Sequence, residues 1–386
     1  MAGNSNNTNS SNRGGKPSKG GGKGASKRRV TIMDVAKEAG VSIAAVSRIL
    51  NNSYDGFSAR EETKQRVYAA VKKLGYTPSR AAVRLATGKH QAVALCYPIH
   101  GHDDVPINTS SVTATLLQLD QMLQIHGAIR SASKVGYDLV LMTRSEERTI
   151  GKLLANAGES VDGIIYVNPE DDDTVSEQLR NSELPIAVVG SMNYKEDERI
   201  CSVSVDEFTA GRMAMGHLIV AGARKVIVAV PEERSHEAAI VDRVEGIAHA
   251  VNSYSDPSLS FTVVNLPEDM EQAKAAFLNH IGAWGDPDGV LTLGGVLPFA
   301  ISKALEVERL RIPAQVKLVG FDENPMYALH NPPITGIRYP VEEMCRRATE
   351  MLIERIRTGK TPEPALMTPK MIARKSSEAS EVPMFR

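Results

Sequence analysis

Arg48 lies on the second of two short helices that the spacing predicts within residues 31–51, TIMDVAKEAGVSIAAVSRILN. Two helices joined by a tight glycine turn, with an arginine on the second, suit a helix-turn-helix, which lays its second helix in a DNA major groove. An ordinary αα-hairpin is the alternative for this segment taken alone. The elements around Arg48 are specified locally. Thr31 is a good N-cap, and Asp34 three residues on places a carboxylate at the amide end of the first helix. Ile32, Val35, Ala36 and Ala39 form one apolar face. Gly40 can take the positive φ that ends the helix. Ser42 caps the second helix, whose Val46, Ile49 and Leu50 pack back on the first. Ala36 and Gly40 are small enough to let the helices meet.

Other chemical candidates are weaker. His100-Gly101-His102-Asp103-Asp104 could hold a metal, or be a solvated loop. Gly22-Lys23 is no phosphate loop, because Gly24 stands where Ser or Thr is needed. Cys96, Cys201 and Cys345 are far apart and odd in number, as small buried hydrophobes in a reducing cytoplasm would be. No G-x-G-x-x-G follows an early strand, and neither G-x-S-x-G nor H-E-x-x-H occurs. These absences argue against an enzyme, and we expect no catalytic residue, metal or cofactor.

The 386 residues suffice for two or three domains, and 42% hydrophobic content supports sizeable cores. No apolar run is long enough for a membrane span, and the N-terminus has no secretory apolar stretch. The net charge of −1 hides an asymmetry. Residues 1–90 hold 17 Lys and Arg against 5 Asp and Glu, whereas the remainder holds 28 against 41. A basic head on an acidic body is the footprint of a chain whose head binds polyanion.

Residues 1–29 are rich in Asn, Ser, Gly and Lys, and predict a disordered basic tail. A helix-turn-helix domain follows over 30–76. Its third helix is expected to open on a capping box at Ser58-Ala59-Arg60-Glu61, with Val67, Ala70, Val71 and Leu74 as its apolar face and Gly75 at its end. Pro78 then breaks the chain, and residues 77–90 suit a hinge helix and linker. From 91 to 375, apolar strand-like runs alternate with amphipathic helical stretches. The strands are read at 92–97, 137–142, 163–167, 186–189, 225–230, 261–265, 289–293 and 317–320. The helices are read at 115–134, 208–221, 237–252 and 268–282. Alternation of this kind implies parallel sheets with crossover helices, here two sheets of four to six strands. Ligands in such folds sit at the carboxyl ends of strands, often between lobes. Residues 376–386 are left as a tail without an apolar heptad, which disfavours a zipper tetramer.

Taken together, the head, the linker and the α/β body resemble LacI-type transcriptional regulators. The match rests on V-T-I-M-D-V-A-K-E-A-G-V-S at 30–42, V-S-R-I-L-N at 46–51, K-K-L-G-Y-T-P-S-R at 72–80 and R-L-A-T-G at 84–88. In the body it rests on R-V-E-G at 243–246, I-P at 312–313 and V-G-F-D at 319–322. The resemblance implies an all-α helix-turn-helix headpiece and hinge helix, followed by a two-lobed body like periplasmic sugar-binding proteins.

It also implies roles. Ile43, Ala44 and Arg48 would read bases, with the Arg48 fork suited to guanine O6 and N7. Thr31, Ser42, Ser47, Asn51, Thr63 and Tyr76 would touch phosphates, and Arg80 would join the DNA contacts. Leu85 would wedge between base pairs in the minor groove; its alternative is packing against the body. Arg243, Asp322 and Gly294 would line an effector site for a sugar or polyol, the alternative for Arg243 and Asp322 being an inter-lobe salt bridge. The implied protein is a cytoplasmic homodimeric repressor on near-palindromic double-stranded DNA, controlled by a small molecule. An effector-independent architectural DNA binder is the other reading. It is favoured by Gly294-Gly295, where the family usually has Asn-Asp. The chain departs further in having Ala45 for Thr, a longer loop at 52–57 and an insertion at 99–114.

Overall fold

A computed structural model of the chain describes residues 30–50, 59–77, 88–97, 112–143, 149–169, 173–190, 194, 196–284 and 287–378, with the side chains of 112–118, 282 and 284 excepted. The chain divides into two compact units, Met1–Ala86 and Thr87–Arg386.

Among the described residues of the first unit are three helices: α1 (Ile32–Ala39), α2 (Ile43–Leu50) and α3 (Glu61–Leu74). They enclose one core of Val35, Ala36, Ala39, Val46, Ile49, Val67 and Ala70. Gly40 and Gly75 close α1 and α3 in the left-handed conformation, each at φ 64°. The start of α3 corrects the sequence reading. Arg60 is its N-cap and makes no side-chain cap bond, so the helix opens on Glu61 and Glu62 against its amide dipole instead.

The second unit holds two six-stranded sheets. The first lobe contains β1 (Ala92–Tyr97), α4 (Val112–Lys134), β2 (Asp138–Thr143), α5 (Ile150–Ala157), β3 (Ile164–Val167), α6 (Asp173–Arg180), β4 (Ile186–Val189) and β5 (Ile200–Val205). The second contains α7 (Glu207–Val220), β6 (Lys225–Pro231), α8 (Ala238–Asn252), β7 (Ser260–Leu266), α9 (Met270–Trp284) and β8 (Gly289–Thr292). It continues with α10 (Leu297–Val307), β9 (Lys317–Gly320), α11 (Pro325–Leu329) and β10 (Thr335–Arg338). The chain then returns to pack α12 (Val341–Thr358) on β3, β4 and β5, and adds β11 (Ala365–Met367) to the first sheet and β12 (Lys370–Ile372) to the second.

The sheet orders are β11-β5-β4-β3-β1-β2 and β12-β10-β9-β8-β6-β7. Every pairing is parallel except β10 with β12. Central strands such as Ile164–Val167 and Ile186–Val189 are buried throughout, as parallel strands covered on both faces must be.

Several elements were not anticipated. The buried strand β5 reads ICSVSV, and its two serines mask the apolar run. The charged sequence of α12 still presents Met344, Cys345, Ala348, Met351 and Leu352 along one buried stripe. Two glycines set the helix packing that matters for the site. A Cβ at Gly211 would lie 2.0 Å from the Arg243 carbonyl oxygen, and one at Gly246 would lie 2.0 Å from that of Phe208. The absence of side chains at these two positions lets the α7 and α8 backbones meet.

Candidate functional site

In the head, the cap at Thr31 forms in full. The Thr31 N–H and hydroxyl both donate to Asp34 Oδ2 at 2.8 Å, and the Asp34 N–H donates to Thr31 Oγ1 at 3.4 Å. The Thr31 hydroxyl proton is thus engaged, and a phosphate there would compete with the cap. Ser42 Oγ accepts from the Ala45 N–H at 3.1 Å, which leaves its own proton to donate.

Val46 and Ile49 turn inward, whereas Ser42, Ile43, Ala44 and Arg48 are exposed together on the outer side of α2. Ile43 keeps 45% of its surface in solvent and so leaves an apolar side chain on that outer side. Ser47 and Thr63 are partly buried, and Tyr76 packs its ring on the head core. Lys73 Nζ reaches Glu38 Oε1 at 2.6 Å and ties α3 to α1. Asn51, Arg80 and Leu85, the tail, the 52–57 loop and the histidines of the 99–114 insertion lie outside the described residues. Among the described residues, no group of three or more His, Cys, Asp or Glu is arranged to hold a metal ion.

In the body, Arg243 and Asp322 both lie in the second lobe, so the expected alternative of an inter-lobe salt bridge between them is not what forms. The partner of Arg243 is Glu207, at the start of α7. Arg243 Nε donates to Glu207 Oε2 at 2.8 Å and Nη2 to Oε1 at 3.2 Å, while Nη1 donates to the Leu293 carbonyl at 3.2 Å. Tyr339 donates its hydroxyl to the same Glu207 Oε2 at 2.6 Å. The guanidinium also lies over the rings of Phe321 and Tyr339, at 4.9 and 5.1 Å. Burial opposes the charge of Arg243, but the Glu207 carboxylate overrides it and holds the pKa well above the ordinary arginine value.

Asp322 follows β9 at φ 58°, a left-handed conformation that Asp tolerates better than most residues. Among the described residues its carboxylate accepts no hydrogen bond. Burial raises its pKa, and the charges of Arg243 and Arg234 only partly offset this. Asp120, on α4 of the first lobe, is pushed up to about 7 by burial and by the charge of Asp322. Next to it, Leu119 packs on the core of the second lobe. α4 therefore meets the second lobe at the carboxyl ends of β6, β8 and β9, where Asp120 lies near Asp322. Gly294 lies here too, beside Pro231 and Glu268.

Sequence reasoning missed Glu207, Tyr339, Glu268 and Asp120. None of them sits in a local pattern, and only folding brings them to Arg243 and Asp322.

Comparison with known proteins identifies the family of the head and of the body. Residues 31–79 match the family model described as bacterial regulatory proteins, lacI family. Residues 215–377 match that of the periplasmic binding protein-like domain. The HTH-type transcriptional regulator CelR of Thermobifida fusca is 30% identical over 343 residues, which is 88% of this chain and 95% of that protein. A solved transcriptional regulator CelR–cellobiose complex is 25% identical, with a TM-score of 0.60 over 90% of this chain and 100% of that one. The lac repressor dimer bound to operator and the anti-inducer ONPF is 20% identical, with a TM-score of 0.67 over 91% of this chain and 100% of that one. A capped helix-turn-helix head, a two-sheet periplasmic-binding-protein-like body and a relative matched along nearly the whole chain lead to one conclusion: this chain belongs to the LacI family of DNA-binding transcriptional regulators.

Proposed function

We propose that the chain is a cytoplasmic, homodimeric repressor whose operator affinity is set by a small sugar or polyol held between the lobes of its body. It acts by binding, not by catalysis. The observation that carries the reading is the joint exposure of Ser42, Ile43, Ala44 and Arg48 on one side of α2, in a chain whose body sets Asp322 just after β9, near Asp120 of the first lobe. Arg48 would take guanine O6 and N7, and Ile43 and Ala44 would offer apolar contact to a thymine methyl. Ser42, with its hydroxyl proton uncommitted, is the better phosphate donor of the two cap residues; Ser47, Asn51, Thr63, Tyr76 and Arg80 would complete the phosphate contacts that set register. Leu85 would open the minor groove at the operator centre, where two hinge segments meet across a dimer.

In the body, Asp322 is the direct ligand group, because its carboxylate remains available to hydroxyl donors. Arg243 acts through what it holds: it fixes Glu207, Tyr339 and the Leu293 carbonyl at the cleft wall. That the relative CelR has been solved with cellobiose supports a saccharide effector. An effector would work by binding one lobe arrangement more tightly than the other. Gly294-Gly295 favours the second reading, an effector-independent DNA binder, because two side chains are missing from the cleft wall.

Selection of operators from random DNA by the full chain, repeated with a panel of neutral sugars, tests the reading. We expect enrichment of a near-palindrome that one sugar weakens or strengthens. Failure to enrich any symmetric sequence would refute the DNA-binding assignment. Enrichment indifferent to every sugar would favour the second reading.

A further inference from the structure

Gly294 leaves a gap that another element has closed. A Cβ at this position would lie 2.6 Å from Pro231 Cγ and 3.4 Å from Glu268 Oε1. The space that a side chain at 294 would take is filled here by the end of β6 and the segment following β7, with the Glu268 carboxylate set beside the bare glycine. Glu268 is held in place: its N–H donates to the Glu233 carboxylate at 3.2 Å, and its Oε1 stands 3.9 Å from Arg234 Nη1. Arg234 already has a carboxylate partner, since its Nε and Nη2 donate to Glu237 at 2.9 and 3.0 Å. The other arginine, Arg243, is likewise taken by Glu207. Arg234 is thus shared between Glu237 and Glu268, and Arg243 is taken by Glu207, so with Asp322 and Asp120 nearby the carboxylates outnumber these two guanidiniums. Burial and the neighbouring acids raise the pKa of Glu268, Asp322 and Asp120, so each is sensitive to a further negative charge.

Building on the effector reading above, we infer that Glu268 is a specificity-determining residue of the cleft. It accepts hydrogen bonds from an uncharged, hydroxyl-rich saccharide and turns away the same sugar carrying a phosphate or carboxylate. The physical basis is an asymmetry. Carboxylates are strong acceptors for hydroxyl donors. A second anion brought beside them into a partly desolvated cleft meets repulsion that water screens poorly. The contribution comes from a segment after β7 instead of position 294, so the selectivity is specific to this chain's own wall.

The test is calorimetric titration of the full chain with matched sugar pairs: cellobiose and cellobionate, ribose and ribose 5-phosphate, maltose and maltose 6′-phosphate. Wild-type protein is expected to bind one of the neutral sugars about a hundredfold more tightly than its anionic partner. Glu268→Gln, which keeps the shape and removes the charge, should narrow that ratio roughly tenfold, and Glu268→Lys should narrow it further or invert it. Ligand-free melting of both variants checks that the fold survives, and either one suffices. An anionic partner that binds wild type as well as the neutral sugar does would overturn the inference. So would an unchanged ratio in a folded Glu268 variant that still binds the neutral sugar; in both cases the effector reading stands. A wild-type protein that binds no sugar of either kind would instead overturn the effector reading, and this inference with it.

Discussion

Truncating Glu207 separates the two meanings that an arginine in this cleft can have. Glu207→Ala removes both carboxylate acceptors of the Arg243 guanidinium, at 2.8 and 3.2 Å, and the acceptor of the Tyr339 hydroxyl at 2.6 Å. Arg243 is 5% exposed, so water cannot replace the lost partner. Leaving one member of a buried ion pair uncompensated costs roughly 3–5 kcal/mol. In a body of this size each kcal/mol lowers the melting temperature by roughly 2 °C, which predicts a loss of roughly 6–10 °C. The Arg243→Met, Glu207→Leu double replacement should recover much of this, because it removes both charges and fills the space.

Asp322→Asn behaves differently on the same reasoning. Asn tolerates the left-handed backbone, and the change removes a carboxylate that burial already disfavours. Its melting temperature should hold or rise while the response of operator binding to effector disappears. Calorimetric melting and operator titration, with and without sugar, read both quantities on the same protein. A Glu207→Ala protein that melts within about 2 °C of wild type would refute the argument that the pair is structural. An Asp322→Asn protein that melts as early as Glu207→Ala would refute the division of labour between the two sites.

Other expectations follow from single features. Asp120 titrates upward to about 7 through burial and the charge of Asp322, so its contribution to stability is fully present below pH 4 and is lost as pH rises through 7. Asp120→Asn should therefore melt higher than wild type at pH 8, by at most roughly 4 kcal/mol of stability, with the gap closing near pH 4; equal melting at pH 8 would remove the proposed repulsion. Gly246→Ala should destabilise the body by roughly 1–3 kcal/mol, against the roughly 1 kcal/mol that helix propensity alone would add, because the new Cβ meets the Phe208 carbonyl; a stabilised variant in urea unfolding would show that the two helices part freely. Arg48→Ala should weaken operator binding by roughly 1–3 kcal/mol per half-site and relax preference at one base pair, as competition gel shifts would report. Operator affinity should fall steeply with salt, each neutralised phosphate adding about 0.9 to the log–log slope, and a nearly flat dependence would contradict a phosphate-bound head.

The first two helices of the head were legible residue by residue, whereas the cap of α3 was not. Thr31, Asp34, Gly40 and Ser42 act within one or two turns of chain, so capping chemistry alone specifies α1, the turn and the start of α2, and the 3.6-residue period places Val46 and Ile49 inward and Arg48 outward. The alternation of strands and helices in the body was equally local, and the two-sheet architecture followed from it. Local pattern failed where composition hid burial, as in the serine-bearing β5 and the charged α12, whose apolar stripe shows only against the sheet it covers.

The cleft belonged to the tertiary structure. From sequence, Arg243 and Asp322 were a pair; in the fold, Arg243 answers to Glu207, brought beside it because Gly211 and Gly246 let two helices touch backbone to backbone. Glu268 stands beside Gly294, and Asp120 faces Asp322, only because crossover connections return distant segments to neighbouring strand ends. Sequence determined which elements form, because caps, turns and periodicity act over a few residues. Folding alone decided which charges meet, because Coulomb partners in a parallel α/β body are chosen by strand order and helix packing, and neither is written in the spacing of the residues themselves.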